Sequence, residues 1–339
     1  MSGASQGPEA VRLELVASPH LKAPDSTAKI MWTVVATLVP LVVAASWAFG
    51  PSALLVIGFA TAGAVGAERL WGARGAIGDG SAAITGLLLG LTLPAGLPLW
   101  MAALGGAFGI GFGKLLFGGL GQNVFNPALV GRAFLQAAFP TAMTTWPVPG
   151  QGWGVWAGDT FAAPLLSSGV DALTGATPLG LMKFEQISTP VRDLFLGTTG
   201  GSMGETSALL ILLGGAYLAY RNYLNWRIPV SVLAVVAGLS SAIHAIDPAS
   251  SPGAPFMLFS GGLMIGAVYM ATDMVTSPVT HRGAWIYGAG IGALVVLIRL
   301  WGGLPEGVMY AILLMNALVP FIDRATQPRV FGTRPSGAT

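Results

Sequence analysis

The sequence predicts an all-α polytopic membrane protein, with about ten transmembrane helices forming two inverted five-helix repeats and some helices broken. Three observations lead there. Charged residues make up 9% of the 339-residue chain and hydrophobic ones 53%, with a mean hydropathy of +0.71; a soluble domain carries roughly 25% charged residues. Apolar segments follow one another from Ile30 almost to Ile322 with short breaks. Lysine and arginine fall unevenly in the loops between them.

A helix needs about 20 apolar residues to cross about 30 Å of hydrocarbon at about 1.5 Å per residue. The expected spans are residues 29–49, 52–70, 81–93, 98–117, 126–139, 206–221, 228–246, 256–272, 284–300 and 306–322. The third and fifth are short and read as half-helices or buried, supported ones. Pro94, Pro98, Pro127 and Pro140 stand at their ends. Residues 1–28 are polar and lack the early apolar run of a secretory signal. The expected organisation is a cytoplasmic tail (1–28), a five-helix unit (29–139), an extracytoplasmic loop (140–205), a second five-helix unit (206–322) and a second cytoplasmic tail (323–339).

Orientation follows from the loop charges. With the N-terminus inside, 12 lysines and arginines, among them Lys29, Arg69, Lys114, Arg221 and Arg324, face the cytoplasm. Lys183, Arg192 and Arg299 then lie outside, and Arg132 sits within a helix. The positive-inside rule puts both tails in the cytoplasm and loop 140–205 outside.

A weak internal repeat accompanies the spans. Residues 104–128, LGGAFGIGFGKLLFGGLGQNVFNPA, and 259–279, FSGGLMIGAVYMATDMVTSPV, each run from a glycine-rich span through a polar hinge to a proline. Five crossings are an odd number, so such halves are inverted, and inverted repeats place sites where interrupted helices meet. Small residues also recur at four-residue spacing, as in Gly58, Ala62, Gly66 and in Gly105, Gly109, Gly113. That spacing lets helix backbones approach closely in lipid.

Composition excludes several chemistries. Without cysteine there is no disulfide and no cysteine-ligated iron–sulfur cluster on this chain. His20, His244 and His281 are scattered, so no zinc spacing exists. The net charge of +2 comes from few charges and suggests no nucleic-acid partner. A redox centre here is organic or shared with a partner chain. No nicotinamide-binding fingerprint is present.

Four constellations interrupt the apolar bulk. Gln122, Asn123 and Asn126 lie beside a broken helix, where carboxamides are costly unless they bind each other, backbone or a ligand. Asn126 before Pro127 is also a plausible helix cap. Asp273, in TDMVTSPVT (272–280), is a carboxylate at the end of an apolar span, either functional or a solvated helix end. DALTGAT (171–177) is a polar turn in the external loop. Ser18-Pro19-His20 precedes STAKIM (26–31), with His20 a weak ligand candidate. Among intramembrane ionisable groups, Arg132 could snorkel or pair with an anionic cofactor, and His244 suits a structural hydrogen bond.

These marks together resemble the RnfD/NqrB family, flavin-bearing membrane subunits of two ion-translocating redox complexes. SPH…STAKIM, GGLGQNVFNPALVG (118–131), DALTGAT and TDMVTSPVT carry the resemblance, which covers about Ser18 to Arg324. The short N-terminal tail looks more like RnfD than NqrB. The resemblance implies FMN attached through its phosphate to Thr177, with Asp171, Thr174, Gly175 and Ala176 as the attachment motif. It also implies a non-covalent riboflavin near Asn123 and Asn126, and a fold similar to that of urea-transporter-like proteins.

The function so implied is a flavin-carrying subunit of a translocase, a redox relay rather than a complete active site. It would pass electrons between ferredoxin and NAD⁺, coupled to Na⁺ or H⁺ movement, in the bacterial inner membrane. Implied partners are iron–sulfur and second flavin subunits of an Rnf-type complex, a flavin transferase and membrane lipid. Three alternatives stand beside it. One is an NqrB-like subunit of a Na⁺-translocating NADH:quinone reductase. Another is a small-solute channel of the same fold, for which DALTGAT would have no use. The third is a purely structural anchor, which leaves the buried amides unexplained.

Overall fold

The computed structural model describes residues 25–72, 76–147, 149–150, 159–164, 175–197, 199–205, 207–248 and 251–328. Among these the chain is helical and has no strand. The first five main helices are α1 (Thr27–Phe49), α2 (Pro51–Trp71), α3 (Ser81–Leu91), α4 (Leu99–Gly113) and α5 (Pro127–Ala138). The second set is α6 (Ala208–Tyr220), α7 (Arg227–Ile246), α8 (Ala254–Phe259), α9 (His281–Trp301) and α10 (Val308–Thr326). Between the sets lie the short helices Pro140–Thr144, Pro178–Gly180 and Val191–Leu196.

Local chemistry sets the boundaries. The Ser26 hydroxyl accepts from Lys29 N at 3.3 Å and caps α1. Gly50, at φ 77°, separates α1 from α2, and Pro51 opens α2 where a missing N–H costs nothing. Six helices are long and apolar enough to cross a membrane: α1, α2, α4 with its 3₁₀ extension to Phe117, α7, α9 and α10. The 11 residues of α3 cover only about 16 Å.

The span expected at 256–272 is not continuous. α8 ends at Phe259, the chain turns at Ser260–Gly262 with Gly261 at φ 65°, and helix resumes at Leu263. It then widens into a π segment, Gly266–Met270, closed by Ala271 N donating to Gly266 O at 2.7 Å. Protein groups support the break. Arg299 of α9 donates to Met257 O at 2.6 Å and Ser260 O at 2.8 Å, while the Glu306 carboxylate accepts from Gly262 N. Non-helical backbone at this depth persists only where such groups satisfy it. Arg299, expected as a loop charge, is therefore a buried support.

Close helix contacts organise the packing. α2 lies on α4 so tightly that a Cβ at Gly63 would strike Ala103 O and one at Gly106 would strike Ala60 O. α7 meets α9 in the same way, with Gly288 and Gly292 against Ile228 O and Val232 O, each 2.8 Å from an added Cβ. Gly109 and Gly113 of α4 face Pro127 of α5. The stripe expected on α2 is out of phase. Gly58 and Gly66 have open space around them, and Ala60, Gly63, Ala64 and Ala67 make the contact face. Four-residue spacing fits more than one helix face, and the neighbour decides which face is used.

Candidate functional site

Two cavities flank the point where α3, α5 and the π segment meet. The asparagine cavity lies at the Ser81 end of α3 and the Asn126 end of α5, with about 790 Å³ of empty space. The threonine cavity lies at the Thr92 end of α3, past Gln136 of α5, with about 890 Å³.

The asparagine cavity is built by breaks in helices. Asn126 caps α5, its Oδ1 accepting from Ala128 N at 3.0 Å and Leu129 N at 3.3 Å. Capping does not exhaust it, because Nδ2 donates to Met270 O at 3.1 Å and ties α5 to the end of the π segment. Asn123 Nδ2 reaches Asp273 Oδ2 at 3.4 Å. Asp273 also accepts from Val275 N and the Thr276 hydroxyl, which closes its turn. The two polar hinges of the sequence thus meet in space. Gln122 does not join them; it is exposed. Around these groups the wall is apolar, from Val34, Ile84, Leu88 and Leu224.

Lys114, expected as a loop charge, is buried. Its ammonium pairs with Glu68 of α2 and donates to Ser81 Oγ at 2.5 Å. Ser81 Oγ in turn bonds Asp79 at 2.5 Å. Glu68 is not among the candidates drawn from the sequence, although a lone carboxylate within an apolar span is itself a functional signal.

Thr177 lines the threonine cavity. Its Oγ1 accepts from Gly180 N at 3.1 Å, so the hydroxyl proton is not used in that bond. Gly175 N donates to Trp146 O at 2.8 Å and pins the motif against the segment that follows α5. Asp171 and Thr174 lie outside the described residues, as does His20. Ala176 is exposed.

Arg132 does not snorkel. It is buried in the wall of this cavity, donating to Thr92 O at 2.6 Å and to Glu306 Oε2 at 3.2 Å. Glu205 completes the charged lining, with Ser202 Oγ donating to it at 2.7 Å. Removal from water and the neighbouring Glu306 carboxylate push Glu205 up to about 8. Neither glutamate stands out in the sequence, because Glu205 ends the long external loop and Glu306 opens the last expected span. His244 has a structural bond, Nδ1 to Ser251 O at 2.6 Å.

Both cavities combine an apolar wall with a few convergent polar groups, the pattern of small-molecule sites. Among the described residues no cluster of His, Asp and Glu could hold a metal ion. The fold and these two cavities define a polytopic helical membrane protein with a cavity at either end of its short helix α3. The chain belongs to the NQR2, RnfD, RnfE family, whose model matches residues 14–332. It is 45% identical over 331 residues to the D subunit of the proton-translocating ferredoxin:NAD(+) oxidoreductase complex of Clostridium ljungdahlii, covering 94% of this chain and 95% of that one. It is 47% identical over 277 residues to the D subunit of the ion-translocating oxidoreductase complex of Stutzerimonas stutzeri (76% and 77% covered). It is 39% identical over 336 residues to the D subunit of the Na(+)-translocating ferredoxin:NAD(+) oxidoreductase complex of Acetobacterium woodii (95% and 96%).

Proposed function

We propose that this chain is the RnfD-type subunit of an ion-translocating ferredoxin:NAD⁺ oxidoreductase complex, and that it carries two flavins. FMN is esterified to Thr177 in the threonine cavity, and riboflavin is held in the asparagine cavity. The observation that carries the reading is the position of Thr177, at the wall of a cavity that also holds the Arg132–Glu306 pair. The relatives' names supply the complex.

The chain's residues fit these groups. Esterification replaces the hydroxyl proton of Thr177 and leaves the Gly180 N–H bond to Oγ1 in place. Arg132, paired with Glu306, lines the same cavity. Asn123 and Asp273 place a donor and acceptors at the other, within a largely apolar wall. Flavins exchange one or two electrons, which suits a relay between single-electron carriers. Iron–sulfur and further flavin subunits, and a flavin transferase for maturation, complete the assembly.

Loop charge supports a topology with both tails in the cytoplasm of a bacterial inner membrane and residues 140–205 periplasmic. The threonine cavity then faces the periplasm and the asparagine cavity the cytoplasm. Helix packing supports two inverted five-helix repeats, α1–α5 and α6–α10. α2 packs on α4 as α7 packs on α9, so α9 is the counterpart of α4. On that pairing, Gly118-Gly119-Leu120 before α5 corresponds to Gly302-Gly303-Leu304 before α10, a better match than the 259–279 segment.

The attachment test is a denaturing gel of the chain produced in a host that has the flavin transferase. A fluorescent band, lost in Thr177→Ala, is the expected result; a non-fluorescent wild-type band sinks the covalent reading. For riboflavin, Asn123→Ala and Asn126→Asp lower the extractable flavin while the fluorescent band persists. Aspartate keeps the cap oxygen on α5 and removes the donor to Met270, so a loss there is not a capping effect. Unchanged riboflavin in both variants refutes the assignment.

A further inference from the structure

We propose that Lys114 is the charge that sets the reduction potential of the flavin in the asparagine cavity, with Glu68 as its counterweight. This rests on the reading of that cavity as the riboflavin site. Lys114 is 3% exposed and Glu68 1% exposed, so the pair lies out of water. A buried pair is seldom more stabilising than apolar residues of equal volume, and this one is left incomplete. The ammonium has three donors; Glu68 takes one and Ser81 Oγ another. The third has no acceptor among the described residues. Glu68 Oε2 likewise has no partner.

Lys114 lines the cavity, as does Ser81. Among the described lining residues it is the sole cation and Asp273 the sole anion. Because Lys114 lines the cavity, its third donor can serve an acceptor on the bound molecule. In this low-dielectric wall a fixed cation acts strongly on added negative charge. Reduction of the bound flavin draws electrons from its donor and any accompanying proton from water, and the ammonium acts through its charge alone. It favours the reduced form. Glu68, behind it, cancels part of that effect, and the Asp79–Ser81 bond holds the hydroxyl that positions the ammonium.

The experiment is a redox titration of the full-length chain carrying Thr177→Ala, so that the non-covalent flavin alone absorbs. If this parent holds no riboflavin, the reading of the cavity fails, and the inference with it, before any further variant is made. With riboflavin present, Lys114→Met is expected to shift the reduced-to-oxidised ratio tenfold or more toward oxidised, about 30 mV for a two-electron couple. Glu68→Gln shifts it the other way, and Lys114→Arg stays close to the parent. Opposite shifts from the two halves of one ion pair are not produced by a merely structural role. Riboflavin retained in Lys114→Met at the parent potential overturns the proposal. So do shifts of the same sign in Lys114→Met and Glu68→Gln. Where Lys114→Met does not fold, Glu68→Gln and Lys114→Arg decide alone, and a Glu68→Gln potential equal to the parent's also overturns it.

Discussion

Single side chains at the threonine cavity hold two separable consequences. Arg132 is buried against Thr92 O and Glu306. Removing one partner strands the other charge, so Arg132→Met costs about 3–5 kcal/mol. Thermal unfolding in detergent measures it, and the double variant with Glu306→Leu recovers part of the loss. Glu205 gives a pH signature. Its folded value, about 8, stands above its ordinary 4.5, so the folded state binds the extra proton between these values. Stability from this group is complete below about pH 4.5 and declines as pH rises toward 8. Glu205→Gln is expected to flatten that decline in melting curves taken from pH 5 to 9. At this scale the sequence showed Asn126, Thr177 and Arg132, because they break an apolar run or complete a motif. It hid Glu205 and Glu306, whose meaning comes from partners 174 residues away in one case, Arg132 to Glu306.

The helices show where periodicity suffices and where it does not. Spans of α1, α2, α7, α9 and α10 followed from apolar length alone, since backbone groups in hydrocarbon must be paired within the helix. The break at Ser260–Gly262 did not follow, because it depends on Arg299 reaching from α9 to Met257 and Ser260. A helix interruption that another helix repairs leaves no local gap in hydropathy. The phase of the glycine stripe on α2 was equally undetermined until α4 was in place. This difference can be measured. Gly106→Ala puts a methyl into Ala60 O and is expected to cost about 1–3 kcal/mol. Gly58→Ala and Gly66→Ala meet open space and stay neutral or gain up to about 1 kcal/mol from helix propensity. Unfolding midpoints of the three variants, compared side by side, check the register.

For the whole molecule, the decisive feature is the thinness of what separates the two cavities. Ala128 and Leu129 are sequence neighbours on α5, yet Ala128 lines the asparagine cavity and Leu129 the threonine cavity. Tyr269 and Met270 divide between them in the same way, and Asn126 Nδ2 to Met270 O clamps the two segments of this wall together. Where solvent enters both cavities it sustains little of an applied field, and a transmembrane voltage then concentrates on the layer between. A unit charge that crosses it does work of about 2.3 kcal/mol per 100 mV. If both cavities hold flavins as proposed, the share of electrons on each, in vesicles clamped by a potassium gradient, is expected to move with voltage toward that amount. A short step between neighbouring residues would thus carry the electrical thickness of the whole membrane.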